Sequence, residues 1–80
     1  LEIKPTVSSD ELHVVGKQNE DWPQFNYIIV NSVGMTSQQL SKLSKNRTIE
    51  ISALSNGLYS LILYERDKLH IYKFIKIFFV

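Results

Sequence analysis

Hydrophobic residues recur at every second position in this chain, and that spacing restricts it to folds built from β-strands. Phe25, Tyr27 and Ile29 occupy alternate positions of one segment, and Ile49 and Ile51 do so in another. Such alternation places one set of side chains on the buried face of a strand, whereas a helix would need a spacing of three or four. The pattern and its turn-forming boundaries predict seven strands, at residues 2–4, 11–17, 24–31, 35–42, 48–52, 58–65 and 69–79.

Seven short strands at this spacing predict an all-β, antiparallel β-sandwich. The chain has 80 residues, which is enough for one domain and one core. The sequence from Asn31 to Gly34 suits a four-residue turn, and the polar break from Glu65 to Lys68 separates two apolar runs. Each of these breaks is therefore expected to close a hairpin.

The segment 37–45 has an alternative interpretation as a helix, because Leu40 and Leu43 lie three residues apart. The hydroxyl groups of Ser37 and Ser41 compete for backbone hydrogen bonds and disfavour a helix there. A strand that runs into a polar loop is the preferred prediction.

The last predicted strand contains two lysines, Lys73 and Lys76, at positions of opposite parity. On a regular strand the two side chains cannot both face water. The sequence therefore predicts either a bulge between them or an edge strand on which the lysine stems reach solvent.

Composition excludes several functional classes. Nine Lys and Arg against eight Asp and Glu give a net charge of +1, too small for a dedicated nucleic-acid binder. His13 and His70 lie in separate strands with no Cys in the chain, so we expect no metal site. The three glycines form neither a phosphate-binding loop nor a nucleophile elbow. We expect no enzymatic activity, no cofactor and no small-molecule substrate.

One binding function remains open on the residues alone. Trp22 precedes Pro23 in a polar stretch, where an indole could stack on a sugar ring. The four tyrosines could extend that surface, although their positions inside strands favour packing in or beside the core. This interpretation describes an adhesive or carbohydrate-binding immunoglobulin-like module of an extracellular enzyme.

The segment from Ser52 to Tyr59 contains Leu54, Gly57 and Tyr59 at the spacing Leu-x-x-Gly-x-Tyr. It resembles the C-terminal sorting domain, type A, of proteins exported by the bacterial type IX secretion system. The likeness extends over nearly the whole chain, with Pro5 after the first strand and Gly34 closing the turn after the aliphatic strand. The run Tyr72-Lys73-Phe74-Ile75-Lys76 is similar to the terminal motif of that family.

The motif residues also have a physical interpretation that is independent of the family. Pro5 lacks a backbone donor and ends the first strand. Gly34 and Gly57 fall where a turn requires a positive backbone angle. Leu54 is expected to pack into the core from a crossing segment, and Tyr59 to begin the next strand with its ring buried and its hydroxyl in contact with water.

The resemblance implies an immunoglobulin-like sandwich of about seven strands that acts as an export signal at the end of a larger secreted precursor. It implies a passenger domain N-terminal in the same chain, recognition by the type IX machinery in the periplasm, and removal by a sortase-like peptidase. The passenger would then reach the surface of a Gram-negative bacterium or its medium. Lys73, Phe74 and Lys76 are the candidate recognition residues.

Overall fold

The computed structural model describes residues 2–16 and 25–78, and this part of the chain forms two β-sheets. Its strands are β1 (Glu2–Lys4), β2 (Val7–Ser8), β3 (Glu11–Val15), β4 (Asn26–Asn31), β5 (Thr36–Lys42), β6 (Thr48–Glu50), β7 (Gly57–Glu65) and β8 (Lys68–Lys76). No helix occurs among the residues described, which confirms the all-β prediction. The strand ends predicted at residues 17, 24 and 79, and Trp22, lie outside the described residues.

The sheets contain three and five strands. The smaller one has the order β1-β3-β6 and is antiparallel throughout. The larger one has the order β2-β8-β7-β4-β5. Both predicted hairpins are present, since β4 pairs with β5 and β7 pairs with β8. The segment 37–45 continues β5 as far as Lys42 and then leaves the sheet, as the strand interpretation expected.

The structure differs from the prediction at β2, which brings the number of strands in the described residues to eight. Val7 and Ser8 pair in parallel with Ile75 and Lys76 of β8, so the domain is not wholly antiparallel. Two residues are too few to show an alternating pattern, and the partner strand lies far away in the sequence. Sequence periodicity therefore carries no signal for this strand.

The core lies between the two sheets and is built from the alternate positions that the sequence marks as apolar. The smaller sheet contributes buried side chains that include Leu12 and Ile49, and the larger one Ile29, Leu61 and Leu63. Each of these five is 0% exposed. Burial of a large aliphatic side chain contributes about 1.5 to 3 kcal/mol to the free energy of unfolding, so these five residues are a main source of stability.

The β4–β5 turn has the conformation that its sequence predicts. Gly34 has a φ of 84°, and its N–H donates to the carbonyl oxygen of Asn31 over 3.0 Å. The side-chain oxygen of Asn31 accepts from the N–H groups of Val33 (3.1 Å) and Met35 (2.9 Å). An asparagine side chain that bonds to nearby N–H groups stabilises such a turn.

Candidate recognition surface

The segment from Leu54 to Tyr59 carries the chain from the smaller sheet to the larger one. Leu54 is half-buried and packs against the core, as the sequence predicts. Gly57 has a φ of 156° at the first position of β7. The buried Tyr59 donates a hydrogen bond from its hydroxyl to the carbonyl oxygen of Ser55 over 2.6 Å. The tyrosine thus fixes the crossing segment to the start of β7.

Phe74 lies on the core side of β8, directly opposite Tyr59. The two rings are stacked, with centroids 5.6 Å apart and an interplanar angle of 18°. Phe74 is 1% exposed. A partner that approaches the folded domain cannot touch this ring, so its role in the structure is to pack the core.

Lys76 is buried as well, which corrects the prediction that both lysines of β8 reach solvent. Its side chain is on the core side of the sheet and is 1% exposed. The ammonium group donates to the carbonyl oxygens of Ser9, Ile51 (3.1 Å) and Ser52 (3.2 Å). An ammonium group has three donors, and a buried charge is tolerated only when it is hydrogen-bonded. The three carbonyl groups meet that requirement.

Lys73, by contrast, is exposed on the outer side of the larger sheet, opposite Ser60. The pairing of β8 with β7 continues from Lys68 to Lys76 without a register shift, so no bulge separates the two lysines. β8 is also not an edge strand along its whole length, because Ile75 and Lys76 pair with β2. The opposite parity of the lysines is therefore resolved by burial of Lys76.

Of the two other motif residues, Pro5 lies near the end of β8 and Gly34 lies away from it. Pro5 lies between β1 and β2. The next residue, Thr6, contacts β8, because its carbonyl oxygen accepts a hydrogen bond from the N–H of Ile75 over 2.8 Å. Gly34 lies in the β4–β5 turn, at the opposite side of the five-stranded sheet. The structure does not bring the eight sequence-predicted residues into one site.

The outer side of the five-stranded sheet carries a group of aliphatic residues that the sequence analysis missed. These residues, called the aliphatic face below, are Ile28, Leu58, Ile62, Leu69, Ile71 and Ile75. The odd positions of β8 include Leu69, Ile71 and Ile75, whereas three of the five even positions hold Lys or His. Hydrophobicity alone would therefore bury the odd positions, which the structure exposes.

In residues 2–16 and 25–78, no group of three or more His, Asp or Glu side chains is placed to hold a metal ion. His13 lies 3.3 Å from Glu11 on the outer side of the smaller sheet. His70 lies 3.2 Å from Glu65 in the larger sheet. Each histidine therefore has one carboxylate neighbour, and the two pairs belong to different sheets.

The tyrosines do not share a surface. Tyr27 and Tyr59 are buried on the core side, whereas Tyr64 lies on the outer side opposite Leu69. Burial raises the pKa of the Tyr27 hydroxyl, and a hydrogen bond with Ser41 opposes this in part. Burial, with a smaller effect of the Glu2 carboxylate, also raises the pKa of Tyr72. This arrangement gives no support to a tyrosine platform for sugars.

Comparisons with known proteins found no matching family model, curated protein or solved structure. Within residues 2–16 and 25–78, the chain has no helix that is long and apolar enough to span a membrane.

Proposed function

We propose that this domain is an immunoglobulin-like sorting signal that directs a passenger across the outer membrane by the type IX secretion system. The passenger precedes it in the same chain, and a sortase-like peptidase removes the signal after export. The proposal starts from the order of motifs, in which Pro5, Gly34, the Leu54 to Tyr59 segment and the lysines of β8 follow one another at the spacing of that family.

One structural observation supports the proposal: one face of β8 is held by the core and the other is exposed to solvent. The side chain of Lys76 donates hydrogen bonds to two loops. The side chains of Ile71, Lys73 and Ile75 are exposed. A receptor that reads these side chains in register would therefore bind the folded domain.

The burial of Lys76 changes which residues are candidates for recognition. Lys73 is the one exposed lysine of the terminal motif, so we assign the direct contact to it. Phe74 and Lys76 support recognition indirectly, because they hold β8 in place. This division gives different expectations for variants of the two lysines.

The experiment is a fusion of residues 1–80 behind a signal peptide and a fluorescent reporter in a bacterium with a functional type IX system. The reporter should reach the cell surface or medium, and should stay in the periplasm when the translocon is inactivated. Lys73→Ala should reduce export, whereas Lys68→Ala, an exposed lysine of the same strand, should not. Periplasmic retention of the intact fusion in the competent strain would contradict the proposed function.

A further inference from the structure

The outer sides of the two sheets differ in chemistry. On the three-stranded sheet the outward positions are mostly charged or polar, including Glu2, Lys4, Glu11 and His13. An antiparallel sheet with one solvated face normally shows this pattern. On the five-stranded sheet the outward positions include the aliphatic face, with Leu69 53% and Ile71 59% exposed. Contiguous exposed apolar residues of this kind mark interaction surfaces.

The strand register arranges the aliphatic face in rows. Ile28 lies opposite Ile62, and Ile62 lies opposite Ile71, so three isoleucines form a row across β4, β7 and β8. Directly opposed side chains of neighbouring strands are in contact range. Leu58 lies opposite Ile75 in a second row, and the polar pair of Ser60 and Lys73 lies between the two rows. The isoleucine row is therefore the continuous apolar part of the face.

Charged groups on this side of the sheet have one sign. Lys73 lies on β8, and Lys42 lies on β5 opposite Asn26, so the two lysines flank the isoleucine row. None of the outward positions of β4, β5, β7 and β8 holds a carboxylate. Glu11 and Glu50 face each other on the opposite sheet. The chain as a whole is nearly neutral, but this face is cationic.

These charges select among the possible occupants. A second copy docked face to face would bury lysines of both copies with no carboxylate to pair with them, which is costly. Surfaces that bind anionic lipid carry clusters of about four to eight Lys or Arg, whereas the outward positions of this sheet hold Lys42 and Lys73. A protein surface with its own aliphatic side chains and flanking carboxylates would satisfy both the apolar row and the lysines.

We propose that the aliphatic face is a docking surface for a protein that presents an apolar patch bordered by Asp or Glu side chains. The inference rests on the proposed function, because the partner is taken to be a component of the export machinery. Under this proposal the partner contacts a surface that spans β4, β7 and β8, in addition to the side chain of Lys73.

The test uses the reporter fusion with substitutions that keep β-propensity. Ile71→Thr combined with Leu69→Thr removes aliphatic surface from the face, and Val15→Thr is the matched control on the outer side of the other sheet. Lys42→Glu combined with Lys73→Glu reverses the flanking charge, and the corresponding Arg variants keep it. Melting temperatures of the purified domains establish that each variant is folded.

The expected result is a loss of export of about tenfold for the Thr pair and for the Glu pair, with little change for Val15→Thr and the Arg pair. If the folded Thr pair is exported as well as the intact fusion, the docking surface is wrong and the sorting signal still stands. If the folded Glu pair is exported as well as the intact fusion, the docking surface and the contact assigned to Lys73 are both wrong. Retention of the intact fusion itself would overturn the docking surface and the sorting signal.

Two further measurements examine the other occupants. The purified domain should not float with phosphatidylglycerol vesicles and should sediment as a monomer at micromolar concentration. Flotation that the Thr pair abolishes would assign the face to lipid. A dimer that the Thr pair dissociates would assign it to a second copy. Either result would replace the protein partner.

Discussion

The ammonium nitrogen of Lys76 lies 3.1 Å from the carbonyl oxygen of Ile51, which links the end of β8 to the loop that follows β6. The carbonyl groups of Ser9 and Ser52 accept its other two hydrogen bonds. Lys76 belongs to the larger sheet, whereas these loops adjoin strands of the smaller one. The hydrogen bonds of the Lys76 side chain therefore link the larger sheet to loops of the smaller one at this end of the domain.

Replacement of Lys76 by methionine should lower the free energy of unfolding by about 1 to 3 kcal/mol, because it leaves the buried carbonyl oxygen of Ile51 without this donor. Methionine keeps the length and the apolar stem, so the hydrogen bonds are the main change. Lys73→Met is the control and should change stability by less than about 0.5 kcal/mol, since Lys73 is exposed. Urea unfolding of the three proteins measures both values, and equal midpoints would show that the carbonyl contacts are not stabilising.

The environment of Lys76 also shows where sequence reasoning stops. Alternation correctly identified β4 and β7, because Ile29, Leu61 and Leu63 are apolar at every second position. Burial of Lys76 depends instead on carbonyl groups that lie 24, 25 and 67 residues away in the sequence. Every residue type has a backbone carbonyl group, so no sequence motif can indicate which carbonyl groups will surround a buried lysine.

The aliphatic face was missed for a related reason. In β8 three of the four odd positions hold Leu or Ile, whereas three of the five even positions hold Lys or His. Hydrophobicity alone would therefore bury the odd set. The choice is made by the register with β7, which places Phe74 opposite the buried Tyr59. A one-residue slip would exchange the two faces, so register and not composition decides what is exposed.

Gly57 provides a second test, because its φ of 156° is accessible mainly to glycine. Gly57→Val should destabilise the domain by about 1 to 3 kcal/mol through backbone strain. Steric exclusion contributes little, since an added Cβ would lie 3.8 Å from the nearest atom of the Tyr59 ring. Ser60→Val, on the outer side of the same strand, is the control for introducing a β-branched residue. An unchanged melting temperature for Gly57→Val would show that the strand begins differently.

The hydroxyl group of Tyr59 is expected to contribute separately from its ring. Tyr59→Phe removes the 2.6 Å hydrogen bond to Ser55 but retains the stacking on Phe74, and should cost about 1 kcal/mol. Tyr59→Ala removes both and should cost about 3 to 5 kcal/mol. Thermal unfolding followed by circular dichroism gives the two differences. If the Phe variant loses as much stability as the Ala variant, the hydroxyl and not the packing fixes the crossing segment.

The last prediction concerns alkaline pH and the buried hydroxyl of Tyr27. Burial raises the pKa of this group above its usual value, so the folded protein keeps the proton at a pH where the unfolded chain has lost it. The unfolded state then binds fewer protons, and the free energy of unfolding falls as pH rises. The contribution is fully present below about pH 10, where a tyrosine of the unfolded chain titrates, and is lost above it. Tyr27→Phe should therefore reduce the fall of stability with rising pH above about pH 10.

Urea unfolding at successive pH values measures this slope in the parent protein and in Tyr27→Phe. The variant also loses the hydrogen bond with Ser41, which opposes part of the rise in the pKa, so the change in slope reports the net shift of the Tyr27 pKa. Tyr72→Phe serves as a second variant, because burial raises the pKa of that hydroxyl too, and its effect on the slope should add to that of Tyr27→Phe. Parallel pH profiles for the parent and Tyr27→Phe would mean that the Tyr27 hydroxyl titrates alike in the folded and unfolded chain, and the packing described around β4 would then be wrong at this residue.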